Sequence, residues 1–279
     1  MPAKKLLTSP AHTHFQSAEP PPAVDLTSDL SDVLSPLFAE ASQSTSLIAS
    51  RHPVTVDGKE HEIPKFLLLG QRGGGQPIRL GIFAGYEAGN LDSVRAVADL
   101  LLQLKASPAL TRDYALLAYP VVNVRGFTED AAPLSDFERR YARDSREQDV
   151  QFFQGELRRW VFNGVISLRI DPHVRGYNAT VRSELLANEV VAPALAVAAE
   201  ALPLAAQSVK VRPGDRYTRT ADYSHGRLIP PADVRPYPFE IELFAPRLPS
   251  SDAQANGLFV AFTEILRHYR TLVAHAQDL

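Results

Sequence analysis

The chain contains no cysteine. Disulfide bonds, a thiolate nucleophile and any cysteine-ligated zinc or iron–sulfur site are therefore excluded. Histidine is sparse, at 8 in 279 residues, so a metal could be held only by a few imidazoles together with Asp and Glu. No apolar run reaches the roughly 18 residues of a membrane-spanning helix. The alanine-rich stretch from Val190 to Ala206 is broken by Pro193, Glu200 and Pro203. A strong charge excess is missing too. Lys plus Arg total 29 against 32 Asp plus Glu, a net charge of -3, whereas a dedicated nucleic-acid binder carries a basic face. The N-terminus shows no secretory pattern, because Lys4 and Lys5 precede only two leucines before Pro10 and His12. A signal needs an apolar run of roughly 7–15 residues. A cytoplasmic protein with neither a nucleic-acid nor a membrane partner is expected.

What is present is ordinary globular material, 45% hydrophobic and 22% charged. Residues 1–28 are rich in Pro, Ser, Thr and Ala, with Pro20, Pro21 and Pro22 in a row, and read as an irregular lead-in. Residues 29–279 read as one α/β domain. A helix fits Asp29 to Ser42, with Ser28 as its cap and Leu30, Val33, Leu34 and Leu37 on one face. Ser46–Val56 and His61–Leu69 form two strands around Asp57-Gly58, a hairpin signal. Ile78–Gly85 and Tyr114–Val122 are short apolar runs of the kind buried on both faces of a parallel sheet. Helices are expected over 91–104, 149–162, 183–202 and 253–277, with strands over 165–170, 209–211 and 239–244. Strand–helix alternation of this kind gives a layered α/β fold with a mixed sheet.

In open α/β sheets, sites form beyond the carboxyl ends of the strands. Four such ends carry polar residues: Glu87 to Asn90, Asn123 to Arg125, Arg169 to His173, and Glu240 to Glu242. Each has a plain alternative. Glu87 and Asn90 suit the N-terminus of the following helix. Asp136, Glu138, Arg139 and Arg140 belong to a charge-dense run that would serve equally as a solvated face. His173 and His225 read equally as surface residues. Gly73-Gly74-Gly75 lacks the Lys-Ser/Thr of a phosphate loop and reads as a strand connection. No G-x-S-x-G nucleophile elbow occurs, and Ser167, Ser183 and Ser224 lack a context that would activate them.

The order of these segments resembles the zinc carboxypeptidase family, including its aspartoacylase and succinylglutamate desuccinylase branch. The resemblance covers about residues 45 to 275. It rests on the hairpin, on Leu80-Gly81-Ile82-Phe83-Ala84-Gly85, on Tyr119-Pro120-Val121-Val122-Asn123, and on the later pieces. The family motifs run G-x-H-x-x-E, N-P-x-G, D-L-N-R, a strand ending in L-H, and E-T-P. Here Asn123-Val124-Arg125-Gly126 keeps the Asn and Gly of the second. Asp136-Phe137-Glu138-Arg139 keeps the Asp and Arg of the third, and Glu240-Ile241-Glu242 is similar to the last. The resemblance implies a three-layer α/β/α fold with a mixed, mainly parallel central sheet. It also implies binding of a substrate carboxylate by Asn123, Arg139 and Glu138, with Glu242 in the place of the general base.

The zinc-ligand positions match Glu87, Asn90 and Arg169. A catalytic zinc wants three protein donors, usually imidazoles and a carboxylate, plus an open position for water. Arg169 is permanently cationic and cannot donate to a metal. It could replace the ion electrostatically by pairing with Glu87, Glu242 or Asp171. Two readings follow. In the first, the protein is a non-catalytic relative without metal or other cofactor that binds a small carboxylate-bearing molecule or a peptide end. In the second, it is an active hydrolase of peptide or acyl-amino-acid bonds with a relocated zinc on Glu87, Asp171 and His173, with Glu242 beside them. A scaffold without a small-molecule site is a third, plainer option. Oligomeric state is not legible in the sequence.

Overall fold

In the computed structural model the described residues are 28–128, 140–141, 145–200, 203–211, 223–224, 227–228, 239–248 and 250–277. The expected lead-in up to residue 27, the Asp136–Arg139 segment and His225 lie outside them.

The chain opens with helix α1 (Ser28–Ser42) and the hairpin β1 (Leu47–Val56) and β2 (Lys59–Leu69). Asp57 and Gly58 both take positive φ, 54° and 75°, as a two-residue hairpin turn that follows the strand twist requires. Strand β3 (Ile78–Phe83), helix α2 (Leu91–Ala106) and strand β4 (Tyr114–Tyr119) follow, then a 3-10 turn at Val124–Phe127. β4 stops short of its expected end because Pro120 has no N–H to donate to a ladder. Next come α3 (Gln148–Trp160), β5 (Gly164–Asp171) and β6 (Tyr177–Val181). A helical run over 184–198, α4, contains a π turn at Ala187–Val191. β7 (Leu204–Val211), the two-residue strands β8 (Tyr223–Ser224) and β9 (Arg227–Leu228), β10 (Phe239–Pro246) and α5 (Ser251–Gln277) complete the described elements.

Eight strands make one sheet in the order β1-β2-β4-β3-β5-β10-β6-β7. The central four, β4, β3, β5 and β10, are mutually parallel. β2 joins β4 and β6 joins β10 antiparallel, so the sheet is mixed and mainly parallel at its centre. Helices cover both faces. Phe38 of α1 meets Phe66 of β2 with ring centroids 4.8 Å apart, and Phe66 is paired with Ala118. Tyr119, the next residue in β4, faces the other way. It stacks on Phe83 at 4.8 Å and meets Phe153 of α3 at 5.9 Å. α1 and α3 therefore lie on opposite sides. α2, α4 and α5 continue the α1 layer, each packed on its neighbour.

The core is largely apolar, with aliphatic side chains at its centre. Leu80, Ile82, Leu116, Leu117, Ile166 and Leu243 are fully buried, and each such side chain contributes about 1.5–3 kcal/mol on burial. One transverse row departs from this. The registers Tyr119↔Phe83, Phe83↔Ser167, Ser167↔Glu242 and Glu242↔Thr180 carry a line that passes from aromatic to polar residues across the face that α3 covers. Two positions further along β5 and β10, Arg169 and Phe244 share that face. The sheet thus brings Arg169 and Glu242 to adjacent strands on one side, at the carboxyl ends.

Candidate functional site

The site is built where β3, β4, β5 and β10 end. Gly85, just beyond β3, has φ +65°, and a Cβ added there would lie 2.4 Å from the carbonyl oxygen of Pro120. Both facts require glycine. The close approach lets the two exits be laced together by main-chain bonds. Val122 N–H donates to Ala84 O (2.9 Å), Asn123 N–H to Gly85 O (3.0 Å) and Gly89 N–H to Gly126 O (2.8 Å). Buried Asn123 adds a side-chain bond, donating from Nδ2 to Tyr86 O at 3.1 Å. Its contact is thus with the backbone beside Glu87. From the hairpin tip, Asp57 forms an ion pair with Arg125.

Glu87 is held out at the rim of this loop. Arg169, near the end of β5, donates from Nε to Glu87 Oε1 at 2.6 Å, and its Nη2 lies 2.5 Å from the same oxygen. Its Nη1 reaches to 3.8 Å from Oε1 of Glu242 on β10. The guanidinium also sits 5.4 Å from the ring centroid of Phe244, a cation–π contact. Glu87, Arg169 and Glu242 therefore meet as one anion–cation–anion cluster. Beneath it, the Tyr86 hydroxyl and Ser167 Oγ are 2.9 Å apart. Burial pushes the Tyr86 phenol far above its usual range, outweighing the Ser167 bond and the Arg169 charge, so it stays neutral.

Asn90 occupies the N-cap position of α2 but makes no capping bond with its side chain. It donates instead from Nδ2 to Ile170 O at 2.8 Å, tying α2 to the end of β5. Asp171 closes the turn that follows, accepting the His173 N–H on Oδ1 at 2.8 Å, and His173 is exposed. An open cleft of about 710 Å³ runs between α2 and this turn, lined by Glu87, Asn90, Arg95, Arg169, Asp171 and His173 among others. Arg95 and Arg247 also line the cleft; a lone Arg on a polar helix face or just after a strand carries no signal in the sequence. Arg139 and Glu138 lie outside the described residues.

Glu87, Asn90 and Arg169, the residues that the sequence resemblance sets at the ligand positions, do not form a set that suits a divalent cation. The Asn90 amide donates to a backbone carbonyl, and Arg169 sets a fixed positive charge against Glu87. Among the described residues no group of three or more His, Asp or Glu side chains could hold a metal ion. Glu87, Asp171 and His173 line one cleft without forming such a group. No described helix is long and apolar enough to cross a membrane.

No family model matches the sequence, and no curated protein matches it. Solved structures do match the fold. A metallo-carboxypeptidase from Burkholderia cenocepacia superposes with a TM-score of 0.60 at 12% identity, over 87% of this chain and 68% of that one. A metallo-carboxypeptidase from Pseudomonas aeruginosa in complex with (2-guanidinoethylmercapto)succinic acid gives 0.56 at 13%, over 84% and 67%. Bovine thrombin-activatable fibrinolysis inhibitor, in complex with tick carboxypeptidase inhibitor, gives 0.57 at 13%, over 86% and 96%. The chain has a zinc carboxypeptidase-like fold.

Proposed function

We propose that this protein is a non-catalytic relative of the zinc carboxypeptidases, in which an arginine has taken over the electrostatic place of the metal. On this reading it binds a small carboxylate-bearing molecule or a peptide end without hydrolysing it. The observation that carries the proposal is the Arg169 guanidinium, bonded to Glu87 at 2.6 Å and 3.8 Å from Glu242. Two carboxylates in a half-dry crevice repel each other, and each disfavours ionisation of the other unless a cation stands between them. A divalent ion does this in a hydrolase and also activates water. A guanidinium supplies only the first service: it offers no Lewis-acid orbital and no bound water to activate. Glu242, which the sequence resemblance sets in the place of the general base, would then have no activated water to act on. Support for the ligand class comes from the fold, since the related Pseudomonas structure holds a dicarboxylate.

The test is metal content and hydrolysis together. After mild chelation and zinc reloading, the purified protein is expected to hold no stoichiometric zinc and to bind none tighter than about micromolar. The variant Glu87→His/Asn90→Glu/Arg169→His should gain zinc affinity. (2-Guanidinoethylmercapto)succinic acid serves as the ligand probe and is expected to bind the unmodified protein in calorimetry. Tight zinc in that protein, with chelator-sensitive hydrolysis of peptide or acyl-amino-acid bonds, would establish the hydrolase reading in its place.

A further inference from the structure

Strand β1 ends the sheet on its hairpin side, and the register fixes which of its backbone groups face outward. Leu69 N–H donates to Ser46 O at 2.7 Å, one step along from the pair Leu47↔Leu68. Even-numbered residues of β1 therefore bond to β2, and odd-numbered ones point their N–H and C=O away from the sheet. Of the outward amides, Leu47 donates to Ser44 Oγ at 3.0 Å and Thr55 to Gln148 Oε1 at 2.7 Å. Pro53 has no N–H to leave open. Ala49 and Arg51 remain, and among the described residues neither amide has an acceptor.

Edge strands are commonly protected from pairing by a free charge, a bulge or a covering segment. The stretch Ile48–Arg51 shows none of these among the described residues. β1 pairs with β2 over its whole length without a register shift. Ile48, Ala49 and Ser50 carry no charge. Arg51 does, but its guanidinium is drawn back into its own molecule, 3.0 Å from Glu62 of β2 and 4.2 Å from the ring centroid of Phe38 on α1. Ile48 is 47% exposed, and Ser50 and His52 are exposed beside it. These three share the face on which His52 stacks on Phe152 of α3 at 4.5 Å.

We propose that this edge binds the same edge of a second copy of the chain, joining the two sheets about a two-fold axis at Ser50. The open amides lie one residue to either side of Ser50. In antiparallel pairing about that residue, Ala49 faces Arg51 of the second copy, and each such pair exchanges two N–H···O bonds. The four bonds use every open amide on both copies. Leu47, whose amide is already taken, faces Pro53 of the second copy, which has none. Ile48 falls against His52 of the second copy and the ring beneath it, so the exposed apolar side chain is covered twice over. Moving the axis to Arg51 would set two guanidinium-bearing residues directly opposite each other. Moving it to Ala49 would carry Pro53 past the start of the facing strand at Leu47. An unrelated extended peptide could add to the same edge, but a second copy supplies each contact twice by symmetry.

So short a pairing gives a weak dimer, so sedimentation of the full chain is followed from about 1 μM to a few hundred μM. The mass is expected to rise from that of one chain toward that of two. Amide exchange at Ala49 and Arg51 should slow in parallel. Ser50→Glu and Ser50→Lys lie on the solvent side and should melt with the parent when dilute, yet each should weaken the dimer about tenfold or more by setting like charges across the axis. An equimolar mixture of the two should associate again, because only an axis at Ser50 sets the acid opposite the base. A protein that stays monomeric throughout overturns the proposal, as does a dimer that both variants leave intact or that mixing them does not restore. Exchange at these amides that is slow at every concentration would show that another segment of the same chain covers the edge, and the proposal fails then too.

Discussion

Replacing Arg169 with methionine removes the cation between two carboxylates and keeps most of the side chain's length. Breaking a fully buried pair leaves an uncompensated charge and costs about 3–5 kcal/mol, whereas exposed pairs contribute about 0–1 kcal/mol. The cluster lies between these limits. The Arg169 and Glu87 side chains are 19% and 29% exposed, and that of Glu242 only 3%. The buried Glu242 loses the Arg169 charge beside it, so the cost is placed at about 2–3 kcal/mol. For a chain of this size that corresponds to a fall in Tm of about 5 °C. Urea denaturation at pH 7 should show a lower midpoint with an unchanged slope. A double-mutant cycle with Glu87→Gln should return a coupling of about 1–2 kcal/mol. A midpoint equal to or above that of the parent at pH 7, with no coupling to Glu87, would show that Arg169 is not the counter-ion of this cluster.

Gly85→Ala should cost about 2–4 kcal/mol, from left-handed backbone strain and the 2.4 Å approach to Pro120 O, and should weaken ligand binding in the same calorimetric assay. On the α3 side, one oxygen of buried Glu156 accepts from Tyr119 at 2.6 Å, Lys65 at 2.9 Å and Trp160 at 3.0 Å. Burial alone would raise its carboxyl, but the bonds from Tyr119 and Lys65, the Lys65 charge and the Trp160 bond outweigh it and hold it below the usual value. That contribution is present above the ordinary carboxylate range of roughly 4.3 and is lost as pH falls through the lowered folded value. Glu156→Gln should therefore lose about 1–3 kcal/mol at pH 7 in urea titration and converge on the parent as pH falls through the lowered folded value. Gly164→Ala would place its Cβ 2.3 Å from the Phe239 ring and should destabilise by about 1–3 kcal/mol, measured by thermal melting.

How much of this was legible in the sequence depended on how local the cause was. The hairpin was, because Asp57 and Gly58 carry the turn chemistry themselves. β3 and β4 were, because strands covered on both faces read as apolar runs. β6 was not. Its five residues, Tyr177-Asn178-Ala179-Thr180-Val181, are too few for a period to show, and their pairing with β10 is a tertiary fact. The helix expected over 183–202 hid a π turn for a similar reason, since an alanine-rich run accepts several hydrogen-bond patterns. Asn90 suited a cap by propensity, but that preference knows only the local backbone, and a carbonyl from β5 lay within reach. Glu87, Arg169 and Glu242 could be connected only through the order of segments, because nothing local says that residues 82 and 73 positions apart will share an ion cluster. Arg95 left no trace, since a charged residue on an exposed helical turn is the commonest surface there is.

The main-chain bonds that lace the β3 and β4 exits have a consequence for how such a site can change over time. The loop that displays Glu87 is fixed by carbonyls and amides of Ala84, Gly85, Gly89, Asn123 and Gly126, not by the side chains it presents. Display and support are thereby separated. A substitution at Glu87 changes the chemistry on offer while the main-chain bonds beneath it stay in place. A mutational drift from one ligand set to another is then a walk over a fixed platform, and the same platform invites deliberate repopulation with donors of a designer's choosing.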